Sequence, residues 1–126
     1  MKILIVDDNA TNRMVLEALL EDYINPNKEI VFEIDEAKDG EEAVQKTQTN
    51  TYDLILMDIN MPNMDGIQAS RLIRSKDEKV MIIAISAADD AEKRTSILNN
   101  GAEDYCYQIT NFKIRTEIAI GVKKEV

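Results

Sequence analysis

Three carboxylates close two short apolar runs of this chain: Asp7 and Asp8 follow residues 3–6 (ILIV), and Asp58 follows 54–57 (LILM). A further run, 80–85 (VMIIAI), leads into Ser86-Ala87-Ala88, and a weaker one, 104–109 (DYCYQI), contains Gln108. If these runs are parallel strands of one open sheet, their carboxyl ends share the rim where such sheets bind ligands. Three carboxylates, a hydroxyl and an amide then converge. Close carboxylates repel, so either one keeps a proton at raised pKa or a cation binds among them. Oxygen ligands alone, in a chain without histidine, point to Mg2+ or a similar hard ion. An aspartate beside such an ion is suited to attack a phosphoryl group, a transfer that needs positioning and charge neutralisation more than elaborate covalent machinery. Asp58 fits the nucleophile, Asp7 and Asp8 fit the ion, and Ser86 fits a hydrogen-bond donor to a phosphoryl oxygen. Ala87 and Ala88 are small enough to leave access.

Each residue also has a plainer reading. An Asp after a strand is often a helix cap or turn residue, and so is a lone Ser. Tyr105 taken alone is half-buried core, Cys106 is a small core hydrophobe, and Gln108 alone carries no signal. The pairing of Asp7-Asp8 with a third Asp at a second strand end is what favours a site.

Composition narrows the chemistry. The 126 residues carry 24 acidic and 15 basic side chains, a formal net charge of −9, with no histidine and one cysteine. That length suits one domain with a real core, spanning 1–126. No histidine means no Ser-His-Asp or Cys-His catalysis, no histidine metal site and no phosphohistidine on this chain. A single cysteine forms no internal disulfide or thiolate zinc cluster, which fits a reducing compartment. The negative charge disfavours a nucleic-acid or anionic-membrane surface, since both need a basic face. No stretch reads as a targeting or spanning segment, and the chain is expected to be cytoplasmic.

The elements that must position these residues follow from the pattern. The runs 3–6, 30–34 (IVFEI), 54–57, 80–85 and 104–109 read as strands buried on both faces. Between them the period is helical. Leu16, Leu20 and Tyr23 share a face in the first helix, Ala43, Val44 and Thr47 in the second, and Ala69, Leu72 and Ile73 in the third. Asp39 with Glu42, and Asp65 before Gly66, are start signals, and Asn99-Asn100-Gly101 is a stop. Five βα units make a doubly wound α/β sandwich. The last segment is ambiguous. From 112 to 122, Phe112, Ile114, Thr116, Ile118, Ile120 and Val122 alternate with other residues, a strand pattern. A helix would keep Ile114, Ile118 and Val122 on one side and carry Gly121 inside at about 1 kcal/mol relative to Ala. The alternating βα plan assigns it to a fifth helix.

At these residues the chain resembles the response-regulator receiver domains of two-component and phosphorelay signalling, the CheY-like family. ILIVDDNATNRMVLEALL (3–20), DLILMDINMPNMDG (53–66), AISA (84–87) and GAEDY (101–105) carry the likeness, which covers nearly the whole chain. The pattern VDDNxxNR is especially similar to receivers of hybrid sensor kinases. The resemblance implies a flavodoxin-like (βα)5 fold with sheet order 2-1-3-4-5. It implies that Asp58 is the phosphoacceptor, that Asp8, Asp58 and the Asn60 backbone carbonyl ligate Mg2+ while Asp7 acts through water, and that Ser86 and Tyr105 are the switch hydroxyl and aromatic. It further implies a histidine kinase or histidine phosphotransfer protein as donor, and a downstream protein bound through the face of helix 4, strand 5 and helix 5. One position departs: Gln108 stands where the family carries a lysine that pairs with the phosphoryl group. A neutral hydrogen bond of about 1 kcal/mol replaces a charge-assisted one of about 1.5–3 kcal/mol, which weakens the site without abolishing it.

Three functions compete. The first is a phosphorylatable receiver, not an enzyme beyond its own phosphorylation and dephosphorylation, whose Ser86/Tyr105 balance controls partner binding. The second, motivated by Gln108, is a degenerate receiver acting as a phosphorylation-independent docking module. The third is a Mg2+-dependent aspartyl phosphatase of the haloacid-dehalogenase type, disfavoured because Asp7-Asp8-Asn9 lacks the Asp-x-Asp spacing and no cap domain fits. A strand-like C-terminus would also permit exchange or edge pairing into a homodimer.

Overall fold

The computed structural model describes residues 1–107 and 109–125. Their order is β1 (Lys2–Val6), α1 (Ala10–Ala18), β2 (Glu33–Ala37), α2 (Gly40–Thr49), β3 (Leu54–Asp58), α3 (Gly66–Lys76), β4 (Met81–Ile85), α4 (Ala91–Asn99), β5 (Asp104–Cys106) and α5 (Ile109–Glu125). The strands form one parallel sheet in the order β2-β1-β3-β4-β5. The flavodoxin-like (βα)5 expectation and its strand order therefore hold.

Alternate residues of each central strand serve opposite faces. Leu4, Val6, Ile55, Met57 and Ile82 pack with Ala43, Ala69, Ile73 and Ile97 of α2, α3 and α4. Ile3, Ile5, Leu54, Leu56 and Ile83 pack with Leu20, Phe112, Ala119 and Ile120 on the other side, beneath α1 and α5. Both faces are covered, which is why β1, β3 and β4 read as continuous apolar runs. Helix starts follow the sequence: Asp39, Asp65 and Asp90 cap α2, α3 and α4 by accepting from the amides of Glu42, Gln68 and Lys93 at 2.8, 2.9 and 3.1 Å. Gly101, with φ +110°, follows the Asn100 C-cap of α4.

Local expectations change at β5, β2, the first helix and α3; the fifth strand is Asp104–Cys106 rather than 104–109, and Ile109 already belongs to α5. The second strand is not 30–34 but Glu33–Ala37 (EIDEA), paired from Lys2↔Glu33 to Val6↔Ala37. It is an edge strand with one neighbour, and its acidic side chains blunt that edge. The apolar residues before it, Ile30 and Phe32, pack against the α1/α5-side core as a lead-in, while Val31 faces solvent.

The first helix also changes. After Ala18 it continues as a π-helical turn over Leu19–Ile24, closed by the Asn25 amide on the Leu20 carbonyl at 3.1 Å. The wider turn keeps Leu20 fully buried and swings Tyr23 outward, so Tyr23 does not share the Leu16/Leu20 face. Buried Asn25 then ties the loop, donating to the Ile30 carbonyl at 2.6 Å and accepting from its amide at 3.3 Å.

The segment 112–122 is helical, as the βα plan requires and its alternation does not. Phe112, Thr116, Ala119 and Ile120 are buried, a helical spacing against the sheet, whereas Ile114 and Ile118 are 59% and 61% exposed. Packing of one helix face has overridden local β-propensity. In α3, similarly, Ser70 is buried beside Ala69 and Ile73 while Leu72 lies outward.

Candidate functional site

The β1/α1 and β3/α3 junctions bring three carboxylates together. One carboxylate oxygen from each of Asp7, Asp8 and Asp58 lies within 4.8 Å of the other two. Asp7 is buried, Asp58 half-buried and Asp8 exposed. The Asn9 amide donates to Asp7 Oδ1 at 2.9 Å, and Asn9 itself caps α1 by accepting from the Asn12 amide at 3.1 Å. The Asp7 carbonyl accepts from Arg13 at 2.7 Å. Asp58 receives a long bond, 3.4 Å, from the Asn60 amide.

The electrostatics follow from this crowding. Burial first, and then the Asp7 and Asp8 charges, push the Asp58 carboxyl up to about 7, against the opposing effect of the Asn60 and Ile59 amides. Burial, reinforced by Asp8, also raises Asp7, with the Asn9 amide opposing. The rim is thus an oxygen-only anionic cluster that is costly to ionise fully, the donor chemistry a hard divalent cation fits.

Gly66 holds the Asp58 loop close to α3. A Cβ there would lie 2.1 Å from the Asp58 carbonyl oxygen and 2.9 Å from Ile59 Cα, and the Gly66 amide donates to the Ile59 carbonyl at 2.9 Å. No larger residue fits without moving Asp58.

Ser86 follows β4 on the same rim, where its amide donates to the Cys106 carbonyl at 2.9 Å and its hydroxyl to the Ala88 carbonyl at 2.8 Å. Tyr105 is 4% exposed. Its hydroxyl donates to the Ala88 carbonyl at 2.7 Å and accepts from the Asp90 amide at 3.1 Å. A cleft of about 280 Å³ opens beside the carboxylates, bounded by Asp7, Asp58, Ser86, Ala87, Leu16 and Phe112 among others. Cys106 also borders it as a buried thiol pushed up to about 12 by burial, so it remains a protonated core group.

The profile of the response regulator receiver domain matches residues 3–110. The chain belongs to the receiver domain family of response regulators. Sensor protein EvgS of Escherichia coli K12 is 36% identical to the receiver over 101 residues, 80% of this chain and 8% of EvgS. The transcriptional regulatory protein ResD of Bacillus subtilis is 40% identical over 104 residues, 82% of this chain and 40% of ResD. The chain therefore spans less than half of these relatives. The receiver domain of the Pseudomonas aeruginosa sensor histidine kinase PA1611, solved with magnesium in its active-site cleft, superposes with a TM-score of 0.79 at 31% identity, covering 95% of this chain and 97% of that one.

The receiver places Asp7, Asp8, Asp58, Asn60 and Ser86 at one rim, with Tyr105 joined to it through Ala88 rather than touching the carboxylates. Gln108 lies outside the described residues. Two groups at the rim have no role assigned in the sequence reading, although Arg13 is the last residue of VDDNxxNR. Arg13 anchors the Asp7 carbonyl, and the Lys93 ammonium of α4 bonds the Asn60 side-chain oxygen. The signal for Lys93 was its place in the first turn after Asp90, since that turn rises from the rim where the strands end. Among the described residues, no helix is long and apolar enough to cross a membrane.

Proposed function

We propose that Asp58 is the phosphoacceptor of this two-component signalling domain, taking its phosphoryl group from a phosphohistidine on a histidine kinase or histidine phosphotransfer protein. The observation that carries this is the convergence of Asp7, Asp8 and Asp58 within 4.8 Å, with Asp58 pushed up to about 7. Asp8, Asp58 and the Asn60 carbonyl would hold Mg2+, with Asp7 acting through water. The bound cation supplies charge neutralisation for the carboxylates and the phosphoryl oxygens.

The chain's own residues do the rest. An Asp58 oxygen forms the new O–P bond as the donor's P–N bond breaks, its electron pair staying on the departing imidazole nitrogen, so that the histidine leaves neutral when its other ring nitrogen carries a proton and otherwise takes one up. The receiver is a signalling domain, and no other substrate turns over. Ser86 releases the Ala88 carbonyl and donates to a phosphoryl oxygen, while Tyr105 reports the change on the face of α4, β5 and α5, where a downstream protein or a second copy binds. Residues 1–126 act as one such unit in the cytoplasm.

The test is incorporation of phosphate from acetyl phosphate or a phosphohistidine protein. Asp58 phosphorylation is expected with Mg2+, and none with EDTA or in Asp58→Asn. Incorporation that persists in Asp58→Asn would overturn the assignment.

A second reading, a docking module that works without phosphorylation, draws on Tyr105, which is already buried and bonded at both Ala88 and Asp90. Equal affinity for a partner before and after phosphorylation would favour it.

A further inference from the structure

Two cations are anchored at the carboxylate rim. Arg13 is committed, bonded to the Asp7 carbonyl at 2.7 Å and ion-paired with Glu36 at 3.2 Å. Lys93 is not. Its ammonium bonds the Asn60 side-chain oxygen, and among the described residues it makes no ion pair. Asn60 stands two residues beyond Asp58, and its amide points at Asp58 Oδ1 from 3.4 Å. A half-buried lysine on a flexible four-carbon stem is therefore parked on a neutral acceptor next to the reacting carboxylate.

Charge decides where it goes. With Asp58 phosphorylated, the phosphoryl group and the Asp7 and Asp8 carboxylates bring about −4, and Mg2+ leaves about −2. Residue 108 is a glutamine and brings no charge. A phosphoryl oxygen is a far stronger acceptor for an ammonium than a carboxamide oxygen.

We propose that Lys93 is the phosphoryl-binding cation of this receiver, its ammonium passing from Asn60 Oδ1 to an oxygen of phospho-Asp58. This rests on Asp58 as phosphoacceptor. It gives α4 a direct hold on the phosphoryl group, through the same first turn whose cap, Asp90, also holds the Tyr105 hydroxyl.

The test uses the full chain and beryllium fluoride, which forms a phosphoryl-like adduct on a carboxylate, titrated calorimetrically with Mg2+ at saturation. Lys93→Gln should weaken fluoroberyllate binding about three- to thirty-fold, the range for exchanging a charge-assisted bond for a neutral one. Mg2+ titrated alone should bind Lys93→Gln as tightly as wild type or more tightly, because a positive charge has left the rim. Lys93→Arg should keep most of the fluoroberyllate affinity. A purely structural role moves both ligands the same way, so parallel loss of Mg2+ and fluoroberyllate would overturn the proposal, as would unchanged fluoroberyllate binding in Lys93→Gln. Wild-type protein that binds Mg2+ but no fluoroberyllate would instead overturn the phosphoacceptor reading, and this proposal with it.

Discussion

Ser86 and Tyr105 donate their hydroxyl protons to one acceptor, the Ala88 carbonyl oxygen, at 2.8 and 2.7 Å. Ser86 follows β4 and Tyr105 lies within β5, so this oxygen is where the site and the aromatic meet. Drawing the Ser86 hydroxyl toward a phosphoryl group leaves the Ala88 carbonyl to Tyr105 alone. In wild type, Mg2+ with fluoroberyllate should therefore shift the NMR signals of Ala88, Asp90 and the Tyr105 ring. In Ser86→Ala the adduct should still form, but the Tyr105 and Asp90 shifts should shrink. Full wild-type shifts in Ser86→Ala would show that the shared oxygen transmits nothing.

Stability should depend on pH in a direction the site dictates. Asp58 has its ordinary pKa of 3.8 when unfolded and about 7 when folded. Between these values the folded chain binds the extra proton, so stability without Mg2+ should fall as pH rises through the window and level off above it. Asp7 is raised as well and adds to the trend. Mg2+ should raise Tm more at pH 8 than at pH 5. Asp58→Asn should raise the metal-free Tm by a few degrees at pH 8 and hardly change it at pH 5. Melting curves without this pH dependence would contradict the burial and repulsion inferred at the rim.

Two glycines should answer an alanine substitution with opposite signs. Gly66→Ala places its Cβ 2.1 Å from the Asp58 carbonyl oxygen, and the loop must move. A loss of about 1–3 kcal/mol in urea unfolding is expected, with weaker Mg2+ binding. Gly121 lies inside α5 with nothing within 4 Å of a Cβ. Gly121→Ala should stabilise by about 0.5–1 kcal/mol, the helix-propensity difference.

Gln108→Lys should lengthen or deepen phosphorylation of Asp58, by a few-fold to about thirty-fold in the equilibrium level. If Lys93 already supplies the charge, the gain should be larger in a Lys93→Gln background than in wild type. Autoradiography of labelled phosphate retained on each variant over time measures both. Equal gains in the two backgrounds would show that the cations act independently.

The central strands and their terminal aspartates were legible because burial on both faces leaves unbroken apolar runs, and Asp7, Asp8 and Asp58 stand where those runs stop. β2 was not, because an edge strand faces less core and Glu33–Ala37 is mostly polar, while the apolar lead-in at Ile30 and Phe32 mimics a strand. α5 was hidden by β-branched residues on its outward face. The outward swing of Tyr23 needs one extra residue per turn, which a fixed helical period does not represent. The Lys93–Asn60 bond joins residues from separate βα units, and single-chain periodicity carries no information about such a pair.

The sheet order has a consequence for how a message would spread. Asp7, Asp8 and Asp58 sit at the ends of β1 and β3, each flanked by strands on both sides, whereas Tyr105 lies in β5, a three-residue margin with one neighbour. Local opening costs least at such margins. On the proposed reading, the phosphoryl group would arrive at strands held from both sides and be reported at a short edge strand. Amide exchange in β5 and the start of α4 should slow on loading of Asp58 while β1 and β3 stay as they were.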